Sequence, residues 1–369
     1  MILASPNVAG LIGQFEIIIA VQIIIRVAIM NKKQRISGKL SSFRKYREIH
    51  LSLLVILTIT LFPFNPAVIE RTSSIQGLPG EIETDSFNAR PERWDLLRIK
   101  ADEAWRITTG RPDIIIAVLD TGIDEQHKAL GGKIITSVNF TKSLTENDVN
   151  GHGTHIAGII AGNKDSETCG LACNCSLLNV KVAEDDGFCD AETLAKGIKW
   201  AADNGALVIN ISLTIAQNSP SIDEAVEYAW NKGCVIVAAA GNNFTSQPVY
   251  PACDEHVIAV SAVDSEDTLP PWANYGRWVD ILAPGVGIRS TAPGGGYIIK
   301  SGTSQAAAIV SAEVALLLSV ATDTNSNGLI NDEATNALLK GTDNIPVTYG
   351  SRAGRINVIS ALRYLKIGV

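Results

Sequence analysis

Five short apolar runs recur along this chain: IIIAVLD (114–120), SLLNVKV (176–182), ALVINIS (206–212), CVIVAAA (234–240) and VIAVSAV (257–263). Each is rich in β-branched residues and shorter than an ordinary helix. Amphipathic helical patterns separate them: THIAGIIAG (154–162), AETLAKGIKWAADNG (191–205) and SIDEAVEYAWNKG (221–233). Strands that are apolar without alternation must be covered on both faces, and helices between them supply the cover. The pattern predicts an α/β fold, a three-layer α/β/α arrangement around a largely parallel central sheet. Near the C-terminus, TSQAAAIVSAEVALLLSV (303–320) reads as a helix apolar on every side, hence central and buried. INDEATNALLKG (330–341) reads as another helix, with Asn331 as N-cap and Gly341 as stop.

The regular alternation starts at Trp94, so residues 94–369 are expected to form one domain. Residues 71–93 are polar with Pro and Gly, a linker or short propeptide. Of the 369 residues 46% are hydrophobic, enough for a core that closes without disulfides. Charge is unevenly spread. Residues 1–70 hold eight Lys/Arg against three Asp/Glu, leaving 23 against 35 for the remainder. So acidic a body argues against nucleic acid, whose phosphates are neutralised by Lys and Arg.

The basic excess falls in residues 31–47, which carry no acid, and the uncharged run IHLSLLVILTITLFPFNPAVI (49–69) follows. A basic stretch before an apolar one is a signal peptide or signal anchor. An earlier apolar run (8–29) is long enough to span a bilayer but carries Glu16 and Arg26. Either the chain effectively starts at Met30, or residues 1–70 contain two spans. The positive-inside rule places everything after residue 70 outside in both cases. The expected location is extracytoplasmic, anchored in the cell membrane or secreted. Six cysteines (169, 173, 175, 189, 234, 253) fit that oxidising setting and predict disulfides ahead of free thiols or a zinc site.

Ligands of open parallel sheets bind beyond the carboxyl ends of the strands. Four polar residues pass that filter. Asp120 ends a strand, His152 opens a helix, Asn242 follows CVIVAAAG, and Ser304 opens the helix after SGT. They are an acid, a base, an amide donor and a nucleophile. A serine hydroxyl attacks only when a neighbouring base takes its proton, and that base needs its tautomer fixed by an acid. His155, three residues into the helix, is expected to be structural. A histidine metal pair lacks a third ligand at a recognisable spacing.

LDTGID (119–124), GHGTHIAG (151–158), AAAGN (238–242) and SGTSQAA (301–307), in that order, resemble the four signature blocks of the subtilisin-like serine proteases, the subtilases. The resemblance runs over about residues 94–366. It implies that Ser304 is the nucleophile, His152 the general base, Asp120 its orienting acid and Asn242 part of the oxyanion hole. It also implies that Ser212, Leu213, Thr214, Gly241 and Val249 line the substrate cleft. No cofactor is required for that chemistry, and a monomer acting on protein or peptide substrates is expected. The alternatives are a peptide-processing transferase or macrocyclase, in which an amine intercepts the acyl-enzyme, and a catalytically silent surface binding protein.

Several positions depart from the family pattern. Gln305 stands where many relatives have methionine. Thr214 and Ile215 replace glycines, and Val249 stands at a pocket floor where relatives have glycine, which predicts a narrow pocket favouring small P1 residues. The family's structural calcium is a possibility, with Asp165 and Glu167, or Asp323, Asn325 and Asn327, as candidate ligands. Yet Ala129 and Ala334 occupy the places of expected carboxylates.

Overall fold

The computed structural model describes residues 93–346 and 353–367. The expected targeting segment and nearly all of the expected linker lie outside the described residues.

Strand β1 (Ile115–Asp120) shows how the apolar runs are used. Ile116 and Val118 enter one apolar cluster, and Ala117 and Leu119 enter the other. Successive side chains of a strand point to opposite faces, so an unbroken apolar run feeds two cores at once. β5 (Val235–Ala239) does the same, with Val235 and Val237 on one side and Ile236 and Ala238 on the other.

β1 is central. On one side it pairs with β3 (Ser176–Lys181), beyond which lies β2 (Ile134–Asn139). On the other it pairs with β4 (Val208–Ile211), followed by β5, β6 (Val257–Val263), β7 (Ile281–Pro284) and the two-residue β10 (Gly354–Arg355). Every pairing in this eight-stranded sheet is parallel. A separate antiparallel pair is formed by β8 (Ile288–Ala292) and β9 (Gly296–Lys300).

Helices α4 (Ala191–Asp203) and α5 (Pro220–Asn231) pack on each other over one face. The other face carries α3 (His152–Ala161) and α6 (Thr303–Leu318), which crosses β4, β5 and β6. Behind α6 lie α7 (Asn331–Lys340) and α8 (Val358–Ile367), and α8 also packs on α2 (Ala101–Ala104), which follows α1 (Trp94–Arg98). All residues of α3 and α6 are buried, which explains their lack of a polar face. Among the described residues no helix is long and apolar enough to cross a membrane.

The first helix after β2 starts at His152, as expected of a residue that opens a helix. Two expectations are corrected. Asn331 is not the N-cap of α7: that position is Ile330, and the buried Asn331 amide instead donates to Trp230 O at 3.0 Å, tying α7 to α5. Disulfides are absent among the described residues, which include all six cysteines, each a free thiol. Cys175 belongs to one core and Cys234 to the other, so the sheet stands between them. Burial pushes both thiols up to about 12, as befits small apolar fillers. The Cys169 and Cys173 thiols are hydrogen-bonded neighbours, and that contact together with Lys133 brings Cys173 down to about 7.

Candidate active site

Asp120 is the last residue of β1 and His152 the first of α3. His152 Nδ1 lies 2.6 Å from Asp120 Oδ1, and neither side chain has any exposed surface. Oδ1 also accepts the Thr121 backbone N–H at 2.7 Å. The close approach of α3 to β1 depends on Gly153: a Cβ there would lie 2.1 Å from Gly122 O and 3.0 Å from Asp120 Cβ. The glycine following His152 therefore makes room for the neighbouring backbone. α3 is braced from its other side, where Ser290 and Thr291 of β8 donate their hydroxyls to His155 O and Thr154 O, each at 2.7 Å. His155 Nε2 lies 3.2 Å from Ile298 O of β9, which places this histidine in the scaffold.

Beneath the pair lies a buried carboxylate that the sequence reading missed. Asp148, 3% exposed, accepts the Thr121 hydroxyl at 2.9 Å and the N–H groups of Asn150 and Gly151 at 3.1 and 2.8 Å on Oδ1. Its Oδ2 accepts the N–H and hydroxyl of Thr154 at 2.8 and 2.6 Å. Lys181, fully buried at the end of β3, donates its ammonium to Thr121 O at 2.6 Å and to Asp185 at 2.7 Å.

Ser304 is the second residue of α6 and is 4% exposed. Its hydroxyl donates to Ser212 O at 3.2 Å, and the Ser212 hydroxyl donates back to Ser304 O at 3.2 Å. A polar thread continues through Asn210, whose amide donates to Ser212 Oγ at 3.0 Å and whose Oδ1 accepts from Ser311 at 2.9 Å. This thread fixes the start of α6 against the end of β4.

Asn242 follows β5. Its Oδ1 accepts the Thr303 N–H and hydroxyl, each at 3.0 Å, which turns its Nδ2 donor the other way. A Cβ added at Gly302 would lie 2.7 Å from Gln305 Oε1, 3.3 Å from that Nδ2 and 3.7 Å from Ser304 N. The two donors thus flank one small space, and a side chain at Gly302 would intrude on it and displace Gln305. The loop carrying Asn242 is held by the buried Asn274, which donates to Ala240 O at 2.7 Å and accepts from Asn243 N and Thr245 N at 3.0 and 3.1 Å.

Thr214 and Val249 are half-buried, and Ser212, Leu213 and Gly241 are buried. Ile215 and Tyr250 form an antiparallel bridge with N–H···O distances of 2.7 and 2.8 Å, which ties the Thr214 segment to the Val249 segment. A Cβ at Gly241 would lie 3.5 Å from Thr214 Cγ2, so the threonine methyl already occupies space beside that glycine.

The calcium candidates are engaged in local contacts or exposed. Glu167 is ion-paired with Arg289, and Asp165 is exposed. In the 323–333 loop the oxygens of Asp323, Asn325 and Asn327 accept backbone N–H groups of the same loop, and Asp332 Oδ2 accepts the side-chain amides of Asn325 and Asn327. Among the described residues no three His, Cys, Asp or Glu gather where they would hold a metal ion.

A wholly parallel sheet between helical layers, with these polar groups at its carboxyl edge, has the architecture of a subtilisin-like protein. Known proteins agree. Residues 111–351 match the model of the subtilase family. A thermophilic serine proteinase of Bacillus sp. strain AK1 is 43% identical over 268 residues, 71% of this chain and 65% of that protein. Thermitase of Thermoactinomyces vulgaris is 40% identical, covering 72% of this chain and 94% of thermitase. The solved structure of the prenylagaramide maturation protease PagA superposes with a TM-score of 0.64 at 31% identity, covering 72% of this chain and 98% of that one. The chain belongs to the subtilase family, and by family it is a serine-type endopeptidase.

Proposed function

We propose that this chain hydrolyses peptide bonds through an acyl-enzyme on Ser304. The reading is carried by the buried 2.6 Å contact between His152 Nδ1 and Asp120. Asp120 fixes the tautomer that leaves Nε2 as the proton acceptor. Nε2 takes the Ser304 proton as Oγ attacks the scissile carbonyl. The new C–O bond puts negative charge on the carbonyl oxygen, which the Ser304 N–H and Asn242 Nδ2 stabilise. Collapse breaks the C–N bond, and His152 passes its proton to the leaving amine. Water then attacks the ester, again through His152, and frees Ser304.

The substrate side chain enters past Thr214 and Val249, and their bulk favours small P1 residues such as Ala. A peptide library with best cleavage after Phe or Leu overturns that preference. The domain acts as a monomer on protein or peptide substrates outside the cytoplasm. The basic segment and apolar run of residues 31–69 support that location; protease protection in intact cells tests it. Labelling with a fluorophosphonate tests the mechanism. Ser304 becomes covalently modified, and His152→Ala loses the modification; folded wild-type protein that stays unlabelled sinks the reading.

A second reading has one observation behind it, the likeness to a protease named for maturation. On this chain it means selective processing of a precursor peptide, and the acyl-enzyme on Ser304 could pass to an amine in place of water. Mass spectrometry of the products, linear acid against ligated or cyclic peptide, separates the two.

A further inference from the structure

Asp148 makes more hydrogen bonds than a helix cap requires, and one of them reaches the partner of the base. Every contact it makes is as an acceptor, the pattern of a carboxylate. Four of its donors are the N–H groups of Asn150, Gly151 and Thr154 and the Thr154 hydroxyl, all around the start of α3. The fifth is the hydroxyl of Thr121, the residue after Asp120. That hydroxyl has a single proton and two carboxylate oxygens within reach: Asp148 Oδ1 at 2.9 Å and Asp120 Oδ1 at 3.3 Å. Thr121 Oγ1 itself accepts the Gly153 N–H at 3.1 Å, so its orientation is fixed from the α3 side as well.

We propose that Asp148 is a positioning residue that tunes Asp120. By taking the Thr121 proton, it leaves Asp120 Oδ1 to the Thr121 N–H and His152 Nδ1. A hydrogen bond donated to a carboxylate weakens it as an acceptor, and a nearby negative charge favours a protonated imidazole. Asp148 therefore acts twice in one direction. It withholds a donor from Asp120, and it adds a second negative charge separated from His152 by Thr121 and Asp120. The proposal rests on the triad reading above.

The other charged or titratable groups around the pair are the same residues in wild type and in an Asp148 variant. They are Lys181 with Asp185 at β3, Cys189, which acts electrostatically with Asp120, Arg289 on β8, Glu313 on α6, and His127 with Lys128 of the 3-10 turn Lys128–Leu130. On α3 itself there is His155. A difference between wild type and an Asp148 variant therefore isolates Asp148.

The test is the pH dependence of kcat/KM for a chromogenic peptide, measured on the unlabelled full chain once a separate sample of wild type has been shown to label at Ser304. In Asp148→Asn the acid limb moves to lower pH by about half a unit or more, because charge is lost and the Thr121 hydroxyl turns to Asp120. A fall in kcat with the acid limb unmoved shows a merely structural role and overturns the proposal. If Asp148→Asn does not fold, Thr121→Val reads the same question. Its acid limb stays put when Asp148 holds the proton, and rises by a similar amount when Asp120 does, which overturns the proposal. Wild-type protein that folds but does not label brings down the triad reading, and this inference with it.

Discussion

Asp148 and Glu313 are two buried carboxyl groups treated in opposite ways. Asp148 lies between β1 and α3 and receives five donated hydrogen bonds. Glu313 lies in the middle of α6, has no exposed surface, and neither of its oxygens has a hydrogen-bond partner among the described residues. Burial alone pushes the Glu313 carboxyl up to about 8. Burial is similar at the two sites, so the donors decide whether a charge is tolerated. The end of the sheet that carries the chemistry is built to keep charges; the apolar interior under α6 is built without any provision for one.

The largest effect expected from this contrast is on turnover. Asp120→Asn lowers kcat by about 10⁴, the scale at which a wrong histidine tautomer acts in other triads. Glu313→Gln, equally buried, leaves kcat within about twofold, since α6 places Ser304 through the Asn210–Ser212 thread rather than through Glu313. A comparable loss in both variants breaks the comparison.

Next comes stability against pH. The folded protein keeps the Glu313 proton up to about 8, while the unfolded chain releases it near the ordinary value of 4.5. Between those values the folded state binds more protons, so stability falls as pH rises, by at most roughly 1.4 kcal/mol per unit. The accumulated loss has an upper limit of about 5 kcal/mol and does not grow further above the folded value. Urea midpoints of wild type and Glu313→Met across this window show the variant gaining most at the alkaline end; parallel curves remove the claim.

A smaller effect tests the polar end by adding one carbon. Gly302→Ala places a methyl beside Asn242 Nδ2 and Ser304 N and lowers kcat by about 10²-fold with little change in KM, as loss of an oxyanion donor does. The smallest is Val249→Gly, which enlarges the pocket and raises the ratio of kcat/KM for Phe over Ala at P1 by about tenfold. An unchanged ratio places the P1 side chain elsewhere.

The five central strands and the three helices between them were legible because double burial leaves an unbroken apolar signature. β2 was not, because it is an edge strand with a half-exposed, mixed pattern. Nor was β10, which has two residues and is fixed by the Arg355 contacts to Asp343 and Asp267. At the candidate site, Asp120, His152, Asn242 and Ser304 stand at strand ends and helix starts, where topology alone directs attention. Asp148 and Asn274 lie in loops with no periodic pattern, and their roles depend on partners far along the chain. One signal was available: an acid shortly before a helix start is the ordinary place for a group that satisfies the first N–H donors. The cysteines misled because an extracytoplasmic expectation was carried to pairing, while Cys175 and Cys234 fill opposite cores.

The order of strands in the parallel sheet has a consequence in time. β1 is made early yet lies inside the sheet, and the flank that positions Asn242 and Ser304 is added strand by strand until α6 docks across β4, β5 and β6. No shorter stretch of chain holds Asp120, His152, Asn242 and Ser304 together. In a growing chain the four residues therefore come together only after Ser304 has been made and α6 has docked.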